Sequence, residues 1–150
     1  MWISLNYYIF QKVVFNTYLR TASKQIKLNS WQANLLSGLE IRSEEDFENS
    51  ARNIIGLGAK AVLIKGGGLT DMKGKDFFLD INGRKEWLFN NFINTENTHG
   101  SGCTLSAAIC GYKALGFNLL NSIQKAKLFV EKSLENSYKI GSGPGPLGHH

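Results

Sequence analysis

The sequence predicts an α/β domain with a mostly parallel central sheet, flanked by helices and carrying one antiparallel hairpin. Three observations predict it. Apolar residues alternate along the chain between helical and strand spacing. Ala61-Val62-Leu63-Ile64 is a continuous apolar run, the pattern of a strand covered on both faces. Asn82-Gly83 separates two strand-like runs, Phe77–Ile81 and Lys85–Phe89, as a two-residue hairpin turn would.

The elements follow in order. Phe10, Val13, Val14 and Tyr18 recur at helical spacing. A short apolar stretch around Ile26 and Leu28 reads as a strand. Trp31 to Ser37 reads as a short helix ending at Gly38. Ser43-Glu44-Glu45-Asp46 has the form of a capping box, with acidic residues where a helix N-terminus favours them. Phe47, Ala51, Ile54 and Ile55 form the buried stripe behind it, and Gly58 can close that helix. Gly66-Gly67-Gly68 breaks the strand at Ala61–Ile64. A helix from Gly102 to Leu115 would bury Leu105, Ala108, Ile109, Tyr112 and Leu115. A last helix from about Asn121 to Tyr138 would turn Ile123, Ala126, Val130 and Leu134 inward. The tail Gly141–Pro146 reads as irregular.

Composition bounds the function. The 150 residues suit one domain over 1–150, and no linker, repeat or low-complexity block divides them. A hydrophobic fraction of 43% with 19% charged residues excludes a disordered chain. No apolar run reaches the roughly 18 residues of a membrane helix, so no membrane partner is expected. The apolar start, Met1–Phe10, lacks a basic region and a small-residue cleavage site, and reads as soluble chain. The two cysteines, Cys103 and Cys110, make neither a disulfide framework nor a metal site, which suits a reduced, cytoplasmic setting. The net charge of +5 is uneven: no acidic residue precedes Glu40 or follows Glu135. Such a chain suits an anionic ligand. Its basic residues form no block, which argues against nucleic acid.

The chemistry concentrates at Asn97-Thr98-His99-Gly100-Ser101-Gly102-Cys103-Thr104, between the hairpin and a predicted helix. Glycines at 100 and 102 permit a tight turn and a close backbone approach to a ligand. The amides of Gly100 to Cys103 would then lie at a helix N-terminus, where free N–H groups and the dipole favour phosphate. In phosphoryl transfer the same donors would stabilise the moving phosphoryl oxygens. Cys103 would sit in the first turn, where the dipole favours a thiolate. Spacing alone leaves open a plain connecting loop, and the missing Gly-Lys-Ser/Thr ending excludes a P-loop.

Other residues have simpler readings. Cys110 inside a helix reads as a small buried hydrophobe. Asp71, Asp76 and Asp80 read as turn and surface residues rather than a metal cluster. Trp87 and Phe89 read as sheet packing, His99 as shaping its loop, and His149 and His150 as a solvated terminus.

The segment Asn97–Ile109 closely resembles the signature of hydroxymethylpyrimidine/phosphomethylpyrimidine kinases of thiamine synthesis, which usually have Thr at the position of Ser101. Leu57–Gly67 resembles that family's strand and glycine turn, Gly38–Asp46 its helix entry, and Ile140–Leu147 its C-terminal tail. The likeness runs over 13–150, while 1–12 match poorly. It implies the C-terminal part of a ribokinase-like fold and ATP-dependent phosphorylation of hydroxymethylpyrimidine or its phosphate. By resemblance, Gly100, Ser101, Gly102 and Cys103 form the anion hole, and Cys103 is the base. Lys65 meets the ATP phosphates, Thr98 lines the phosphate side of the nucleotide site, and Mg²⁺ bridges the phosphates mostly through water.

Three departures qualify the resemblance. The family is longer at its N-terminus, where it carries the first strands and most of the pyrimidine pocket. Its Pro-Asn-x-x-Glu metal element corresponds here to Leu28-Asn29-Ser30-Trp31-Gln32, so the metal candidates are Asn29 and a neutral Gln32. Gly68 replaces the His that usually follows Lys-Gly-Gly. The alternative reading is therefore a non-catalytic, degenerate nucleotide-binding fragment, or one half of a split kinase. The partners implied are ATP and the pyrimidine, with self-association or a separately encoded N-terminal half.

Overall fold

The computed structural model describes residues 25–149. The helical spacing from Phe10 to Tyr18, the apolar start and His150 lie outside these residues. The chain falls into two compact units that divide between Phe89 and Asn90.

The first unit holds four strands and two helices: β1 (Gln25–Asn29), α1 (Ser30–Ser37), α2 (Glu44–Gly56), β2 (Ala61–Lys65), β3 (Lys75–Asp80) and β4 (Lys85–Phe89). The sheet order is β1-β2-β3-β4. The β1–β2 pair is parallel, with α1 and α2 in the crossover, and both β2–β3 and β3–β4 are antiparallel. The mostly parallel sheet expected from the helix–strand alternation is thus corrected among the described strands to a single parallel pair. Residues 66–74 between β2 and β3 hold only a 3-10 turn, Thr70–Met72. A parallel return needs a crossover of a dozen or more residues.

Alternation along the strands builds the core. Ile26 and Leu28, Val62 and Ile64, and Phe77 and Leu79 pack with Ala33, Leu36, Phe47, Ala51 and Ile54 from the two helices. Trp87 closes this cluster edge-on to Phe47 and tilted against Phe77, with centroids at 5.2 and 5.0 Å. Leu63 and Phe78, cross-strand partners on the opposite face, are buried too. Phe89, expected to pack in the sheet, is 66% exposed: it is the last residue of β4, the edge strand among those described.

The capping box before α2 forms as the sequence indicates. The Ser43 hydroxyl accepts from the Asp46 amide, and the Asp46 carboxylate accepts from the Ser43 amide at 2.8 Å. The β3–β4 turn differs from the expected two-residue Asn-Gly turn. Asp80 and Arg84 close it around Ile81, Asn82 and Gly83, with the Asp80 amide donating to the Arg84 carbonyl at 3.0 Å. Gly83 alone has positive φ, whereas a type I′ turn would need it at Asn82 as well. The Asp80 carboxylate accepts from the amides of Asn82 and Arg84, which holds the longer loop.

The second unit holds α3 (Ser101–Ala114) and α4 (Leu119–Glu135), packed on each other and joined through Gly116 in the left-handed conformation. Leu105 of α3 and Leu120, Ile123 and Ala126 of α4 are buried. Leu115, expected inward, is 74% exposed because the helix ends at Ala114 and leaves it in the cap. Cys110, expected to be buried, is exposed: it falls on the outer face of α3.

Candidate active site

Two groups of predicted residues form, one in each unit. In the first, the parallel register sets Asn29 beside Lys65 at the carboxyl ends of β1 and β2. Open α/β sheets bind ligands outside that end of their strands. Lys65 is half-buried and pairs on its other side with Asp76.

The glycine turn after Lys65 is tightly held. The Gly66 amide donates to the Lys75 carbonyl at 2.9 Å and to the Asp76 carboxylate at 3.2 Å, and its carbonyl accepts from the Leu69 amide at 2.8 Å. Asp76, read from sequence as a surface or turn residue, is buried. Its carboxylate is aligned with the strand end, where it serves a backbone donor. A Cβ at Gly68 would come within 2.8 Å of the Ser30 hydroxyl, so this turn lies against the start of α1.

Asn29 and Gln32 meet each other. The Asn29 side chain accepts from the Gln32 amide at 2.8 Å, and the Gln32 side chain accepts from the Asn29 amide at 3.1 Å. This is a complete capping box for α1. Both carbonyl oxygens are engaged with backbone, and neither side chain is charged. The pair therefore forms a helix cap and offers a cation no charge. Among the described residues no group of three His, Cys, Asp or Glu side chains is placed to hold a metal ion. The signal for the cap was present in the sequence as Asn-x-x-Gln spacing.

The second group is the turn before α3. Gly100 is the N-cap, with φ 86° and ψ −5°, a conformation that favours glycine. As a glycine it brings no side-chain cap of its own. The first intrahelical bond runs from the Thr104 amide to the Gly100 carbonyl at 2.9 Å, which puts Ser101, Gly102 and Cys103 in the first turn of the helix. The Ser101 amide donates to the Thr98 carbonyl at 3.2 Å, a longer bond that tightens the entry to the helix. Cys103 and Thr98 are both exposed. The turn thus presents a helix N-terminus capped by a left-handed glycine, with an accessible thiol in its first turn. Such an end can accept an anion and place a base next to it.

Sequence reasoning missed what holds this turn. The tail Gly141–Pro146, read as irregular, is fixed against it through Gly145. The His99 amide donates to the Gly145 carbonyl at 3.2 Å, and the Gly145 amide donates to Asn97 Oδ1 at 3.0 Å. His99 shapes the loop through this backbone contact and a bridge to Pro146. His149, read as solvated, is exposed but stacks on Phe129 with centroids at 6.0 Å.

The fold and these sites define an α/β protein of ribokinase-like architecture. Its structure aligns with that of Staphylococcus aureus pyridoxal kinase, solved in complex with AMP-PCP, at a TM-score of 0.85 and 31% identity, over 92% of this chain and 51% of that one. The family model for phosphomethylpyrimidine kinase matches residues 13–148, and the chain belongs to this family. A hydroxymethylpyrimidine/phosphomethylpyrimidine kinase of Synechococcus elongatus is 47% identical over 122 residues, which is 81% of this chain and 46% of the relative. A probable thiamine biosynthetic bifunctional enzyme of Oryza sativa is 40% identical over 76% of this chain and 21% of its own length. The chain spans about half or less of the curated relatives it matches.

Proposed function

We propose that residues 13–150 are the C-terminal, nucleotide-binding part of a kinase that phosphorylates hydroxymethylpyrimidine or its phosphate in thiamine biosynthesis. One observation carries the reading: Cys103 stands exposed in the first turn of a helix that starts at the left-handed Gly100, inside the segment that carries the family likeness. In this reading the turn Gly100–Cys103 receives the γ-phosphoryl group of ATP. Cys103 takes the proton of the substrate hydroxymethyl group. The resulting oxygen attacks the γ-phosphorus, the bond to the β–γ bridging oxygen breaks, and ADP leaves. The turn's backbone donors stabilise charge on the three equatorial oxygens during transfer. Lys65 meets the ATP phosphates and Thr98 lines them. Mg²⁺ would supply charge neutralisation on those phosphates, held mainly by them and by water, because Asn29 and Gln32 bring no charge.

An ADP-release assay with ATP, Mg²⁺ and the pyrimidine tests the reading. Turnover is expected, with pyridoxal as a second acceptor because the aligned structure is a pyridoxal kinase. Cys103→Ala should lower the rate by about 10²- to 10⁴-fold, the range for a general base, while AMP-PCP binding stays intact. A folded sample with no turnover, and no difference between wild type and Cys103→Ala, would sink the reading.

The neutral Gln32, tied into a helix cap, favours a second reading in which the chain binds nucleotide without transferring phosphate. AMP-PCP binding without ADP release would select it.

A further inference from the structure

The tail contacts of the second unit have a use that the phosphate reading does not assign. Gly145 is gripped from two sides: Asn97 Oδ1 accepts from its amide at 3.0 Å, and its carbonyl accepts from the His99 amide at 3.2 Å. No other residue fits at 145. A Cβ there would fall on the Tyr138 carbonyl and within 2.6 Å of Asn97 Oδ1. The neighbouring tail is anchored as well. The Gly148 amide donates to the Ser133 carbonyl of α4 at 3.0 Å, Leu147 is buried, and a Cβ at Gly148 would fall on the Asn136 carbonyl. On the loop side, the Asn97 amide donates to Thr95 Oγ1, which is hydrogen-bonded to Ser137 Oγ at 3.1 Å.

The loop that enters the turn is therefore tied to the end of α4 by way of the tail. Its anchored residues, 97 and 99, directly precede Gly100, whose left-handed φ starts α3. Within the loop, the Thr98 amide donates to the Glu96 carbonyl and the Ser101 amide to the Thr98 carbonyl, both short-range bonds. We infer that Asn97 and Gly145 are positioning residues: the tail is a latch that sets the conformation of the 97–103 turn and so pre-forms it for an anion. The latch acts through the turn and touches no reacting atom. Its consequence for nucleotide binding rests on the function proposed above, whereas its effect on the turn does not.

Hydrogen exchange on the full chain, with and without AMP-PCP, separates the two. Without nucleotide, Asn97→Ala should speed exchange at 98–103 and at 145–148, while β1–β4 and the thermal midpoint stay near wild type. Asn97→Asp keeps an acceptor oxygen and should restore slow exchange. Gly145→Ala should reproduce the Asn97→Ala pattern if it folds, and Asn97→Ala carries the test if it does not. With nucleotide, AMP-PCP should protect 98–103 and the tail together in wild type, and Asn97→Ala should weaken AMP-PCP by up to about tenfold, the scale of one hydrogen bond. Unchanged exchange at 98–103 in folded Asn97→Ala would overturn the latch. So would faster exchange in Asn97→Ala that Asn97→Asp fails to reverse. A wild type that ignores AMP-PCP but shows the nucleotide-free effects would remove the phosphate reading and leave the latch standing.

Discussion

Three adjacent glycines show how residue-scale demands diverge behind identical letters. Gly66, Gly67 and Gly68 read alike in the sequence, as a break after a buried strand. The structure separates them by what a Cβ would meet. At Gly66 it would lie 2.5 Å from the Lys75 carbonyl and 2.7 Å from the Met72 carbonyl, both backbone atoms with no room to give. At Gly67 it would meet nothing within 4 Å. Gly66→Ala should therefore cost about 1–3 kcal/mol, the scale of overpacking in a closed site, and should disturb the turn beside Lys65. Gly67→Ala should stay within about 0.5 kcal/mol. Urea denaturation of both variants measures the contrast, and equal losses would contradict it. Cys103 and Cys110 make the same point in chemistry. Both are exposed: a cysteine inside a helix reads as a small buried hydrophobe, yet Cys110 lies off the stripe of α3 that holds the buried Leu105.

At the scale of elements, local signals were legible and their purpose was not always so. The Ser43–Asp46 box was read correctly because the hydroxyl, the acidic turn and the apolar stripe all agree. The same device at Asn29–Gln32 has two readings in the sequence, a cap and a metal element, because both use the same amide side chains, and the structure shows the cap. The hairpin was found from its flanking strands, yet its turn was not. The sequence does not reveal that the Asp80 carboxylate would hold two amides and lengthen the loop. The α2 cap also makes a prediction about pH. The backbone amide of Arg42, then the hydroxyl and amide of Ser43, hold the Asp46 carboxyl below its ordinary value. A depressed folded pKa stabilises the protein above the unfolded value, near 3.8, and that stabilisation fades as pH falls through the folded value. Acidification below the ordinary carboxylate range should loosen the start of α2. In Asp46→Asn the acid limb of the thermal midpoint against pH should flatten, with a lower midpoint at neutral pH. An unchanged acid limb would show that the cap contributes nothing there.

At the scale of the whole molecule, charge was legible from the sequence and topology only in part. Helix–strand alternation identified the α/β class, but strand direction depends on connection length, and the short 66–74 link forces β3 to run back along β2. The charge distribution depends on no such detail. A net charge of +5, with no acidic residue before Glu40 or after Glu135, biases the molecule toward anions as a sum over many side chains. Such a bias acts at long range and is screened by salt, whereas hydrogen bonds to backbone amides in a pre-formed turn are screened far less. The two contributions can therefore be separated. Raising salt from about 0.05 to about 0.3 M should weaken AMP-PCP binding by only a few fold, because the Debye length shortens while the turn is unaltered. A single-stranded oligonucleotide should bind weakly at low salt and be released over the same range, since no basic block tracks its backbone. If AMP-PCP fell away as steeply as the oligonucleotide, general charge rather than the 97–103 turn would be what holds the phosphate.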